Sequence, residues 1–283
     1  MMPGILYIVA TPIGNLEDMT HRAIRVLKEA DLIAAEDTRH TKKLLTHFGI
    51  NTPLISYYRE KESSRTEQLV AKMLDGITIA LVSDAGTPAI SDPGSILVRQ
   101  ARNAGLQIIP LPGPSALSAA LSCAGLETGS FLFLGFSPAK SAQRRKHLQP
   151  LASQPHPLVF YESPHRVRQF IQDALEIFGD RKVLWAREIS KKYEDIQETS
   201  LLELANKIED EKIRGELVII IHPGQSQLPQ GETIDEILKW YRDMSDFSLK
   251  DACKKIASDM NLPRSDIYRR ALEIWGKRNN HHK

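Results

Sequence analysis

Four short apolar runs, ILYIVA (5–10), DLIAA (31–35), ITIALV (77–82) and LQIIPL (106–111), constrain the fold most. Each is continuous in apolar residues rather than alternating, which fits a strand buried on both faces, as in a parallel sheet. Helical patterns at 20–30, 38–48, 64–75 and 92–104 lie between them. Thr20 can cap the first. Asp92 followed by Pro93 reads as a cap and first-turn proline for the last, with Gly105 beyond its far end. Strand alternating with helix from 5 to 111 argues for an α/β domain.

The Pro/Gly break LPGP (111–114) marks a domain boundary, and its Pro114 opens a helix that Gly125 closes. A second set follows: FLFLGF (131–136), LVFYE (158–162), KVLWA (182–186) and ELVIII (216–221). Its clearest helix is expected to be capped by Ser163, begun at Pro164 and stopped by Gly179. HPGQSQLPQGE (222–232) reads as a linker, and three short helical patterns follow it. The expected organisation is an N-terminal α/β domain at 1–113, a second at 114–228 and a helical extension at 232–283.

Several chemistries are excluded by residue type. The chain has no G-x-x-x-x-G-K-[ST], no G-x-G-x-x-G after a strand, no H-E-x-x-H and no G-x-S-x-G. Cys123 and Cys253 are the only cysteines, too few for a disulfide framework or a structural zinc site, and suited to a reducing cytoplasm. No apolar run approaches the roughly 18 residues of a membrane span. The start, MMPGILYIVATP, lacks a basic n-region, so no signal peptide is expected.

The loops at the strand ends remain. ATPIGNLED (10–18), AEDTRH (35–40), SDAGTPAISDPG (83–94) and LPGPSA (111–116) each combine Gly or Pro with a hydroxyl or carboxylate. Such loops gather ligands beyond the carboxyl ends of strands in open α/β sheets. Charge adds a second hint. The net charge is +2, yet residues 251–283 hold eight Lys or Arg against four Asp or Glu, and AKSAQRRKH (139–147) carries four with no acid. Basic patches on a near-neutral body suit a polyanion, although a solvated helix face reads the same way.

TPIGNLED, EDTR, DAGTP, PGPSA and YESPHR, in this order, resemble the tetrapyrrole methylase superfamily over residues 5–222. Within it, the likeness is to the bacterial ribosomal small-subunit RNA methyltransferase I group, and it reappears at 248–275. The resemblance implies two α/β domains of the class III methyltransferase type with a cofactor cleft between them, plus a small C-terminal helical extension. It implies S-adenosylmethionine as cofactor, a cytidine 2′-hydroxyl of 16S rRNA as acceptor, a cytoplasmic homodimer and no membrane partner. Corrin-pathway members carry G-x-G-P-G after the first strand. This chain has ATPIGNL there, which tells against a tetrapyrrole acceptor, because in those enzymes the loop lies next to it.

Carried over by position, the resemblance assigns the cofactor to Pro12, Asp84, Gly86, Thr87, Pro88, Ser115, Ala116, Tyr161, Gly215 and Glu216. For catalysis the residues leave Glu36, Asp37 and Arg39 as candidates, with Asp37 as base and Arg39 on phosphate; an Asp–Arg pair that merely braces the loop is the alternative. Arg187 with Glu188 is a further pair. Lys140, Arg144, Arg145 and Lys146 are expected on the rRNA backbone, together with Lys254, Lys255, Arg264, Arg269 and Arg270. No metal is expected. A tetrapyrrole C-methyltransferase and a non-catalytic RNA-binding or ribosome-assembly protein stand as alternatives.

Overall fold

The computed structural model describes residues 2–126, 129–209, 211–224, 233–244, 247–260 and 262–276. They group into two compact units, Met1–Gly224 and Gln225–Lys283. The first holds two five-stranded sheets.

The first sheet comprises β1 (Ile5–Val9), β2 (Leu32–Ala35), β3 (Leu54–Ser56), β4 (Ile79–Val82) and β5 (Gln107–Leu111). Its order is β3-β2-β4-β1-β5 and every pairing is parallel. Helices α1 (His21–Glu29), α2 (Thr38–His47), α3 (Glu62–Leu74) and α4 (Ser95–Asn103) connect the strands. The continuous apolar runs are explained by burial on both sides. Val9, Ile33, Ala35, Ala80 and Val82 pack with Val26 and Leu27 of α1, whereas Leu6, Ala34, Ile79 and Leu81 pack with Leu69, Met73 and Leu97. The sequence pattern did not reveal β3, a three-residue edge strand that is only half-buried.

After α5 (Ala116–Cys123) comes the second sheet: β6 (Leu132–Phe136), β7 (Leu158–Glu162), β8 (Lys182–Arg187), β9 (Asp195–Ser200) and β10 (Leu217–Ile221), ordered β6-β7-β10-β8-β9. Only β6 and β7 run parallel; β10 is antiparallel to β7 and β8, and β8 to β9. One face packs on α6 (Ser141–Leu148), α7 (Val167–Phe178) and α8 (Leu201–Ile208) through Leu148, Phe170 and Leu204 against Phe160, Trp185 and Ile219. The other packs on α5 through Ala120 and Ala124. The strand β9 (DIQETS) escaped the sequence reading because an edge strand with one solvated side needs no apolar run.

Local punctuation held in part. Thr20 Oγ1 accepts from Ala23 N at 3.1 Å and caps α1. Gly179 terminates α7 with φ +73°. Ser163 and Pro164 do not begin that helix. A turn intervenes, Arg166 occupies the cap position without a side-chain cap, and Ser163 contributes its carbonyl to the Arg166 and Val167 N–H groups. Pro114 likewise precedes α5, which Ser115 caps.

In the second unit, α9 (Ile234–Met244), α10 (Leu249–Met260) and α11 (Arg264–Gly276) enclose their own core of Leu238, Cys253, Ile256, Ile267 and Ala271. Of the expected linker, residues 225–232 lie outside the described residues, as do 277–283. Among the described residues no helix is long and apolar enough to cross a membrane.

Candidate active site

Parallel strands deliver their following loops to one edge, and here hydrogen bonds sew those loops together. Thr11 and Gly86 exchange backbone bonds, each 2.9 Å, joining the loop after β1 to the loop after β4. Thr11 Oγ1 adds a bond to the Ser83 carbonyl at 3.0 Å. The Asp37 N–H donates to Asp84 Oδ1 at 3.1 Å, tying in the loop after β2. Thr87 Oγ1 donates to the Pro114 carbonyl at 3.1 Å, tying in the loop after β5. The rim is therefore preorganised before any ligand arrives.

The second sheet closes over this rim. Tyr161 on β7 sits edge-on to Phe133 and Phe136, with ring centroids 5.0 and 5.6 Å away. Its hydroxyl accepts from the Leu117 N–H at 3.1 Å, in the first turn of α5. The turn after β8 reaches back toward the first sheet: Ser190 Oγ donates to Asp18, and the Lys191 stem lies against Gly14. Glu188 holds a left-handed φ of +53° and accepts from Lys191 Nζ at 2.7 Å. Its carboxylate occupies the space a Cβ would fill at Gly215, whose own left-handed φ of +79° favours glycine.

A cavity of about 230 Å³ results between the rim and the second sheet. Ile13, Ile90, Phe136 and Leu217 give it apolar walls, and Glu36, Asp84, Asp92, Glu188 and Glu216 give it five carboxylates, of which Glu188 is paired with Lys191. Burial raises the Glu36 carboxyl above the ordinary range, and the charges of Asp92 and Asp84 add to the effect. Asp92 is raised by burial first, then by Glu216 and Asp84. Burial also raises the Tyr161 hydroxyl. Crowded, partly desolvated carboxylates of this kind favour either protons or a cationic ligand.

Residues 5–205 match the family model for tetrapyrrole (corrin/porphyrin) methylases. The chain belongs to that family. It is 46% identical over 281 residues to a ribosomal RNA small subunit methyltransferase I of Vibrio cholerae, covering 96% of each chain. It is 45% identical to the protein of that name from Halalkalibacterium halodurans, with 94% and 93% covered. Among solved structures, a Thermus thermophilus uroporphyrin-III C-methyltransferase complexed with S-adenosyl homocysteine superposes with a TM-score of 0.56 at 20% identity, over 77% of this chain and 97% of that one. A diphthine synthase superposes with a TM-score of 0.60 at 13% identity, over 77% and 90%.

In this member of the family, Asp84, Gly86, Thr87, Ser115, Ala116, Tyr161 and Glu216 all line the cavity, as does Glu36. Pro12 and Gly215 line an adjoining cavity instead, and Pro88 is buried outside both linings. Asp92, expected to cap α4, lines the cavity; the cap position belongs to Gly94, at φ +141°. Lys191, Glu188 and Phe136 also line the cavity, where the sequence offered no reason to expect them. Their placement depends on the second sheet folding onto the first, for which no local pattern exists.

Other expected site residues are engaged elsewhere. Asp37 caps α2, its carboxylate accepting from the Arg39 N–H at 2.8 Å, which lowers its proton affinity. It is exposed, and its ion pair with Arg39 is long, 4.0 Å, with the Arg39 side chain 94% exposed. Arg144 is not available to a polyanion. It is 1% exposed, pairs with Asp173 at 2.7 Å and donates to the Pro138 and Ala139 carbonyls, joining α6 to α7. Arg145 is paired with Glu176 and Asp173. Lys140, Lys146, Lys254 and Arg264 are exposed. Lys255 is half-buried, and Arg269 and Arg270 form surface pairs with Asp266 and Asp235. Arg187 is bound between Asp195 and Glu211.

Proposed function

We propose that this chain methylates the 2′-hydroxyl of a cytidine in 16S rRNA of the small ribosomal subunit, using S-adenosylmethionine. The observation that carries the reading is length. The rRNA methyltransferase relatives align along nearly the whole chain, whereas the tetrapyrrole-enzyme structure superposes on about three quarters of it. The composition of the cavity agrees with the cofactor. Apolar Ile13, Phe136 and Leu217 suit an adenosine, backbone-rich loops at Gly86 and Ser115–Ala116 suit its polar edges, and the carboxylates of Glu36, Asp84, Asp92 and Glu216 suit a cation. Lys191, the cavity's lysine, is neutralised by Glu188, so the lining is not built for phosphate.

The bound cofactor supplies an electrophilic methyl group on a positively charged sulfur. The protein must hold the acceptor oxygen in line and take its proton. Glu36 fits the second task best among the three candidates: it faces the cavity and its raised proton affinity brings it closer to a useful base. Asp37, capping a helix with lowered proton affinity, is the weaker base. Of the cations in the two basic runs, Lys140, Lys146, Lys254 and Arg264 are exposed and would meet the rRNA backbone, giving affinity rather than sequence choice. We place the reaction in the cytoplasm, on a homodimer.

Incubating the protein with tritiated S-adenosylmethionine and small subunits from a strain lacking the gene tests this reading. The label is expected in one 2′-O-methylcytidine of 16S rRNA, with none transferred to uroporphyrinogen. Transfer to uroporphyrinogen alone would overturn it, as would calorimetry showing no cofactor binding. Removing residues 232–283 should weaken rRNA binding while sparing cofactor affinity.

A further inference from the structure

The cofactor cavity has a neighbour. A second cavity adjoins it, and the two share Ile13, Asp84, Ala85, Lys191 and Glu216 as a common wall. The outer side of this second cavity is α2. His40, Lys43, Leu44 and His47 line it, at spacings of three, four and seven residues. On a helix of 3.6 residues per turn, that is a single face. His40, Lys43 and His47 are exposed, and none enters an ion pair among the described residues.

The two cavities therefore differ in charge across one wall. Five carboxylates and one lysine line the inner one, whereas the outer one shares only Asp84, Glu216 and Lys191 of these and adds Lys43 and two histidines on its α2 side. The helix that carries these side chains is firmly placed. Asp37 caps its first turn, and the Asp37 N–H is bonded to Asp84 on the shared wall. A cationic methyl donor in the inner cavity leaves the outer one for an anion. A ribose presenting its 2′-hydroxyl at the wall carries a phosphodiester on the neighbouring 3′-oxygen, a few bonds away.

We propose that the α2 face formed by His40, Lys43 and His47 binds the phosphodiester of the acceptor nucleotide and so sets the ribose against the methyl donor. The inference rests on the rRNA methyltransferase reading above. Lys43 supplies the charge, the two imidazoles supply hydrogen bonds, and Leu44 with Leu16 offers an apolar wall to the sugar.

The test uses the full chain with Lys43→Gln, Lys43→Arg and the double change His40→Asn, His47→Asn. Affinity for a 16S rRNA fragment is measured against KCl concentration, and cofactor affinity by calorimetry. Lys43→Gln should weaken RNA binding roughly five- to tenfold at 0.1 M salt and flatten the log–log salt slope by about 0.7, the value for one lost contact to single-stranded RNA. Lys43→Arg should restore both, the double histidine change should weaken RNA binding further, and cofactor affinity should stay within about twofold. Unchanged RNA affinity and slope in Lys43→Gln, beside an active wild type, would overturn the proposal alone. Loss of cofactor affinity would also overturn it, assigning the outer cavity to the cofactor's carboxylate. A wild-type chain that methylates no RNA would overturn the functional reading and the proposal together.

Discussion

Glu62 lies at the start of α3, buried, and its Oε1 accepts three hydrogen bonds. They come from the N–H groups of Gly94 at 2.9 Å and Ile96 at 3.3 Å and from the Tyr57 hydroxyl at 3.2 Å. The first two are the opening donors of α4. Gly94 has no side chain to cap with, and a Cβ there would meet Leu81 and Ala89 at 2.8 and 2.9 Å. A carboxylate from another helix supplies the cap instead, and it anchors the end of the loop that carries Asp92. Glu62→Ala removes a helix cap, about 1 kcal/mol, and leaves a second buried N–H unpaired, about 1–3 kcal/mol. The sum, about 2–4 kcal/mol, corresponds to a Tm lowered by roughly 5–15 °C in a unit of this size. Glu62→Gln keeps an acceptor at the same place and should cost about 1 kcal/mol. Scanning calorimetry reads the stability, and titration calorimetry on the folded protein should show weaker cofactor binding in the alanine variant. An alanine variant melting within about 2 °C of wild type would refute the capping argument.

The other carboxylates separate by role. A unit charge about 5 Å from Asp92 at an effective dielectric constant of about 20 gains roughly 3 kcal/mol, and partial exposure reduces this to about 1–2 kcal/mol. Asp92→Asn should thus raise the cofactor Kd about 5- to 30-fold by calorimetry. The same change should raise the Tm of the cofactor-free protein at neutral pH. A carboxyl whose folded proton affinity is raised contributes stability below its unfolded pKa of about 3.9 and loses it as pH climbs through the folded value. By the same sign, cofactor binding should tighten as pH rises above about 4 through the raised Glu36 and Asp92 carboxyls, then level off. Glu36→Gln should lower kcat for rRNA methylation by about 10²–10⁴, against less than about tenfold for Asp37→Asn. Arg144→Met should cost about 1–3 kcal/mol in denaturant unfolding, because the buried Asp173 loses its closest cation and keeps only Ser141 and Arg145, while RNA affinity of the folded variant stays within about twofold.

The elements that the residues announce are those whose physics is local. An apolar run such as ITIALV needs cover on both faces wherever it lies, and Thr20 or Gly179 acts on backbone within four residues of itself. The edge that forms the candidate site was legible for the same reason, since Gly- and Pro-rich loops follow the buried parallel strands and those strands deliver them to one side. Roles of individual charges were not. Asp92 and Pro93 look like a helix start, yet the cap of α4 comes from Glu62, 32 residues from Gly94. Arg144 sits in a run of cations and is withdrawn from solvent by Asp173, 29 residues away. Asp37 and Asp84, 47 residues apart, meet through one N–H, and Lys191 reaches the site from the other sheet. Burial of an apolar side chain is non-directional, so composition and period predict it. A carboxylate or guanidinium does what its nearest partner allows, and folding chooses that partner from distant parts of the chain.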